Sequence, residues 1–401
     1  MPELTPSSLP SLDPAATGAP LKGVRVLDLT RLLPGPMCAL HLADLGADVI
    51  KVEDTGAGDY AAESLRMLVN RNKRAIGIDL KQPAGVEVLL RLCSEADVLI
   101  EGFRPGVMER LGVGYAAVAQ VNSRLVYCSL SGYGQTGPYR DAPGHDVNYS
   151  AYAGMADQMG SSARSLALSN VPVADLLGGS MTAVMGILAA LFDAARTGEG
   201  RHVDVAIADG LLAHAVIPLA ALNTHGQTHP AGGDKLTGAL PCYALYATAD
   251  GRFVAVGALE RKFWDTFCDL IARADLKPHH RPADPARSDW VRAELTALIG
   301  AEPLAYWVDK LHGSDCCVTP VLKLDETLAN EHFLARDMVI PGQTAAGVPF
   351  VQLGCPVKMS GFTFAVRHPA PVQGQHTAEI LSHAGYSVAE VGALMDQGTI
   401  V

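Results

Sequence analysis

From Gly23 onward, short runs of β-branched and aliphatic residues alternate with stretches whose apolar positions recur at helical spacing. Residues 24–29, 48–52, 76–80, 97–100 and 125–130 read as strands, and 38–45 and 83–94 as helices, the second with Pro83 at its start. Strands separated by crossovers of ten or more residues predict a parallel, doubly wound sheet, so the fold class is α/β. Beyond Gly144 the pattern lengthens into helices at 176–196 and 205–222. A polar, Gly- and His-rich connector, 223–238, then leads to two further strands, 242–247 and 253–256, joined at Asp250-Gly251. Helical periodicity returns at 263–272, 288–298 and 388–395.

Composition narrows the class of molecule. The 401 residues are 49% hydrophobic and 18% charged, with a formal net charge of −11, which is globular rather than disordered or fibrous. An acidic chain lacks the basic surface that DNA, RNA or anionic lipid requires, so nucleic acid and membrane are not expected partners. The eight cysteines form no C-x-x-C pair and lie mostly in apolar runs, which predicts buried thiols in a reducing, cytoplasmic setting. Residues 1–22 carry neither a basic start nor an apolar core and read as a flexible tail. The uncharged stretch 176–192 is near the lower length for a membrane span. With Asp175 and Asp193 at its ends and Gly178-Gly179-Ser180 near its start, it reads as a buried helix.

Several motifs carry candidate chemistry. Gly132-Tyr133-Gly134-Gln135-Thr136-Gly137 has the spacing of a dinucleotide loop, but Pro138 and Pro143 follow where a helix should open, so no nicotinamide or flavin is expected. The histidines show no metal-ligand spacing, and no metal is expected. Arg66, Arg71, Lys73, Arg74 and Lys81 face a single acid, Asp79, within residues 66–81, while Lys51 and Arg104 follow the ends of predicted strands. Such a cluster is either a solvated basic face or a pocket for a polyanionic ligand at the sheet's carboxyl edge. His145 and Asp146 share a loop-like stretch, and Asp175 precedes the apolar helix, where a capping role alone would account for a carboxylate.

Taken together and in order, the motifs resemble the family III CoA-transferase and α-methylacyl-CoA racemase superfamily. The resemblance rests on Pro34-Gly35-Pro36, Leu45-Gly46-Ala47-Asp48-Val49-Ile50-Lys51-Val52-Glu53, Asn72-Lys73-Arg74, Arg104-Pro105-Gly106, Thr197-Gly198-Glu199-Gly200-Arg201 and Gly374-Gln375-His376-Thr377. It runs from about Leu21 to the C-terminus. It implies a large Rossmann-like domain (residues 23–225, completed by 331–401), a smaller inserted α+β domain (226–330) and an interlocked homodimer. It also implies an acyl-CoA thioester as substrate and lipid metabolism as the setting, with no cofactor beyond the coenzyme A of the substrate. Lys51, Arg71, Lys73, Arg74 and Arg104 then become candidates for the CoA phosphates.

Two chemistries share that scaffold. In the transferases an aspartate at the position of Asp175 attacks the thioester and passes through an aspartyl-CoA intermediate. In the racemases that aspartate is an acid/base opposite the histidine of Gly-His-Asp-x-Asn-Tyr, which stands here as Gly144-His145-Asp146-Val147-Asn148-Tyr149. The resemblance adds Glu260 as the carboxylate orienting His145, Asp146 as the neighbour tuning Asp175, and N–H groups near Gly178 and Gly179 as partners for an enolate oxygen. His145 favours 2-methylacyl-CoA racemisation, with CoA transfer as the alternative and a non-enzymatic CoA-binding protein as the third reading. Differences from the racemase pattern occur at 237–243 and at Arg261 after Glu260, near the acyl group in relatives.

Overall fold

The computed structural model describes residues 18–56, 58, 60–162, 164–343 and 347–401. Most of the expected N-terminal tail, residues 1–17, lies outside the described residues. The chain divides into two units: Met1–Ala153 with Asn170–His214 and Leu334–Val401, and Gly154–Ser169 with Ala215–Phe333. The sequence expectation began the second region at residue 226 and left out 154–169.

The first unit is built on six parallel strands: β1 (Arg25–Leu29), β2 (Asp48–Glu53), β3 (Lys73–Gly77), β4 (Val98–Glu101), β5 (Val126–Ser131) and β6 (His202–Ala206). Their order is β3-β2-β1-β4-β5-β6, so the winding direction reverses between β1 and β4. Ligand crevices form outside the carboxyl ends of strands at such a reversal. Both faces of β1 and β4 are buried, as a covered parallel sheet requires. Leu27, Ile50, Ile76, Leu99 and Tyr127 pack with Leu89, Leu92, Ile380 and Leu381 into the core on one side. The C-terminal segment runs along β3: the Asn72 amide donates to His368 O and the His376 amide to Ala75 O.

Helix α1 (Pro34–Asp44) begins four residues ahead of its predicted start, with Pro34 fixing the first helical φ. Strand β3 also begins earlier than the 76–80 predicted. Its first residues, Lys73 and Arg74, are charged yet enclosed in ion pairs, and hydropathy alone passes over such a strand start. The predicted helix 205–222 is three elements instead: the end of β6, α4 (Ile207–Leu212) and α5 (Val216–His225).

The apolar stretch around 176–192 becomes a π-helix, Ala174–Met181, continuing into α3 (Thr182–Thr197). Together they form the one helix among the described residues long and apolar enough to cross a membrane by length and composition. One face, including Ala183, Ile187, Ala190 and Ala194, is buried, while Met185 and Phe192 on the other are each 67% exposed.

In the second unit β7 (Tyr243–Ala247), β8 (Phe253–Gly257) and β9 (Val318–Pro320) form an antiparallel sheet in the order β9-β8-β7. Trp264, Phe267, Leu295 and Trp307 anchor its separate core. All eight cysteines are free thiols, and all but Cys317 are buried.

Candidate active site

The loops after β1, β4 and β5 enclose a cleft of about 570 Å³ at the carboxyl edge of the first unit's sheet. Thr30, Arg31, Pro34 and Gly35 line it from the β1 side, Phe103 and Arg104 from the β4 side, and Tyr133, Arg140, His145 and Tyr149 from the chain after β5, with Asp175 completing it. A second cavity adjoins it over β1, β2 and β3, sharing Thr30, Arg31 and Phe103 and adding Asp54, Asp79 and Lys81.

His145 is the N-cap of a short helix, Asp146–Tyr152, in extended conformation, and its backbone N–H donates to Asn148 Oδ1 at 3.1 Å. Its imidazole is left to the cleft, where the side chain is exposed. Tyr149 is pinned behind it by a 2.6 Å hydrogen bond from its hydroxyl to Gly144 O. Side chains at positions 132 or 144 would collide with the Tyr149 ring, at 2.3 and 2.6 Å, so both glycines are required by this packing. The 132–137 loop ends β5 in bends rather than opening a helix.

Asp175 projects from the first turn of the π-helix. An i→i+5 ladder widens the turn and re-aims one side chain relative to a regular helix. The Asp175 amide donates to Asp146 Oδ1 at 2.9 Å, which locks the two carboxylates beside each other. Half-buried, Asp175 has its carboxyl pushed up to about 6, by burial first and the Asp146 charge second, with His145 pulling the other way. Burial and the Asp175 charge likewise push the Tyr149 phenol up to about 12. The cleft therefore offers an imidazole beside a carboxyl that titrates near neutrality, the pairing suited to moving a proton on and off carbon.

Gly178 and Gly179, expected to present N–H groups to an enolate, do not line the cleft. They allow the π-helix to close on α4 and α1: a Cβ on Gly178 would lie 2.4 Å from Ile207 O, and one on Gly179 3.2 Å from Pro34. Glu260 belongs to the second unit, exposed at the N-cap of the helix Arg261–Leu270.

The basic candidates divide sharply. Lys51, Arg71 and Lys73 are 0%, 3% and 0% exposed, and this corrects their assignment to CoA phosphates. Lys73 and Lys51 point into the sheet toward Asp28, because both lie within strands rather than after them. Arg71 makes a two-pronged pair with Asp44 at the end of α1. Arg74 is bound to Asp48 and Glu379, at the opposite edge of the sheet from the cleft. Arg104 alone of the five lines the cleft, where it is exposed. Arg31, which the sequence reading passed over, also lines it and lies against the rings of Tyr60 and Phe103 at 4.7 and 5.0 Å. Its signal was its place just beyond the end of β1, the same rule that singled out Arg104.

Residues 21–377 match the family described as CoA-transferase family III. The chain belongs to that family. It is 35% identical over 373 residues to the human alpha-methylacyl-CoA racemase, covering 92% of this chain and 95% of that protein. It is 30% identical over 396 residues to the human succinyl-CoA:glutarate CoA-transferase, covering 95% and 90%. Among solved structures, a CAIB/BAIF family protein from Brucella suis superposes with a TM-score of 0.81 at 27% identity, over 91% of this chain and 99% of that one. Membership of CoA-transferase family III thus brings an enzyme class with racemase and transferase relatives at similar identity, and acyl-CoA substrates fit both.

Proposed function

We propose that this family III enzyme is a 2-methylacyl-CoA racemase that removes the α-proton of the thioester and returns it on the other face. The observation that carries this reading is the convergence of His145 and Asp175 on one cleft. Inverting a carbon centre needs a base on one side and an acid on the other, and a carboxyl near 6 holds or yields a proton at neutral pH. In one direction His145 takes the proton and Asp175 gives one; in the other the roles exchange. Asp146, through its charge and its bond to the Asp175 amide, keeps Asp175 poised. Arg104 and Arg31, two of the cations of a cleft that Arg140 also lines, meet the CoA phosphates. The exposed apolar face of α3 supports a homodimer.

The alternative is CoA transfer, with Asp175 attacking the thioester carbonyl and carrying the acyl group and then CoA. The accessible carboxylate in the cleft and the transferase relatives support it. The two readings part in D₂O. A chiral 2-methylacyl-CoA incubated without acceptor acid gains α-deuterium and loses optical purity in a racemase. A transferase leaves it unchanged, and acyl-CoA with hydroxylamine inactivates it through Asp175.

A further inference from the structure

Beneath the cleft lies a polar cluster that the proposed chemistry does not use. Asp28 on β1, Lys51 on β2 and Lys73 on β3 are all fully buried. Asp28 Oδ2 accepts from Lys73 Nζ at 2.9 Å, with Lys51 Nζ at 4.0 Å. Burial alone would raise the Asp28 carboxyl, but the two ammonium groups bring it down to about 2. Two buried cations thus share one buried anion, and desolvating such charges is costly unless further hydrogen bonds satisfy them.

Lys73 Nζ also donates to Asn70 Oδ1 at 2.9 Å, and further bonds of the cluster go to one segment. Lys51 Nζ donates to Thr30 O at 3.0 Å, and Lys73 Nζ donates to Pro36 O at 2.9 Å. The Thr30 amide and hydroxyl both donate to Asp28 Oδ1, at 3.0 and 2.5 Å. Between these ends, Ser180 of the π-helix donates to Pro34 O at 2.6 Å. Residues 30–36 are therefore strapped at three points over the sheet, and the strap borders both cavities. At its middle Leu32 has a φ of 63°, a left-handed conformation that a leucine keeps only when its surroundings impose it.

We infer that Asp28, Lys51 and Lys73 are positioning residues that hold strap 30–36 in its ligand-binding shape. Both ammonium groups donate to strap carbonyls, and the Thr30 hydroxyl ties the strap to the same carboxylate. That the bound ligand is an acyl-CoA rests on the function proposed above; the holding of the strap does not.

The test compares Thr30→Val, Thr30→Ser and Lys51→Met with the unmodified, ligand-free protein by amide hydrogen exchange. Lys73→Met is the harsher variant and risks failing to fold, whereas Thr30→Val keeps all three charges. The amides at the two ends of the strap, Thr30, which donates to Asp28 Oδ1, and Met37, which donates to Leu33 O, are expected to exchange at least tenfold faster in Thr30→Val and Lys51→Met, with β5 amides unchanged and Thr30→Ser near the original rate. In turnover, KM for a 2-methylacyl-CoA is expected to rise about tenfold, with α-deuterium exchange at saturation within threefold. Unchanged strap exchange, equal acceleration in β5, or a Thr30→Ser protein that behaves like Thr30→Val would overturn the inference. If no acyl-CoA is turned over at all, the proposed function fails while the exchange comparison still decides the strap.

Discussion

Asp28 and Asp175 are aspartates of the same unit, one under the cleft and one in it, and their surroundings drive them in opposite directions. Asp28 is the more deeply buried, yet its carboxyl falls to about 2, because Lys73, Lys51 and the Thr30 hydroxyl all favour the anion. Asp175 is only half-buried, yet it rises to about 6, because burial and then the Asp146 charge both disfavour its anion. Burial pushes both carboxyls up; the cations around Asp28 reverse that push, and the carboxylate beside Asp175 adds to it. A carboxylate given cations becomes a fixed structural charge, while one given a like charge becomes a group that exchanges protons near neutrality.

Removing the titrating member should have the largest effect. Asp175→Ala is expected to lower acyl-CoA α-exchange about a thousandfold, the range of a lost general acid/base, with folding intact by circular dichroism. Removing a cation from the structural member should come next. Lys73→Met leaves Asp28 with a single distant ammonium and should cost about 3–5 kcal/mol in urea unfolding. A loss below about 1 kcal/mol would mean that the cluster is not the anchor that its burial implies.

The fold was largely legible in the sequence, and the site only in part. Alternating aliphatic runs show parallel strands because a sheet covered on both faces has no polar side. The same rule misplaced β3, whose first residues are charged and buried. The sequence marks a lysine but not the direction of its side chain. Lys51 and Lys73 lie within strands and point into the sheet, while Arg31 and Arg104 stand beyond strand ends and reach the cleft. His145 and Asp175 were found through motif resemblance; 30 residues separate them in sequence, and the cleft that joins them depends on the turn after β5 and on the π-helix.

Smaller changes sharpen the contrast. Asp146→Asn removes the like charge but keeps an oxygen to accept from the Asp175 amide, so, in the direction in which Asp175 takes the proton, the acidic limb of the kcat profile should move to lower pH, by about one unit or less. An unmoved limb would assign the raised pKa to burial alone. Asp175→Asn should carry the smallest signal, and it appears in stability. The folded carboxyl lies near 6 against an ordinary 3.8, so the native state binds more protons between those values. Its favourable contribution is complete below pH 4 and is lost as pH rises through 6. Allowing for its solvent-exposed part, the variant should gain about 1 kcal/mol at pH 8 and nothing near pH 3, by thermal or urea unfolding.

The most direct test of the two-base site follows each enantiomer of a 2-methylacyl-CoA separately by NMR in D₂O, with the unmodified enzyme, His145→Ala and Asp175→Ala. The unmodified enzyme should deuterate and invert both enantiomers. Each variant should lose inversion, and any exchange that survives should be confined to one enantiomer, opposite for the two variants, with configuration retained. Inversion by His145→Ala, or no α-deuterium from the unmodified enzyme with either enantiomer, would contradict the account.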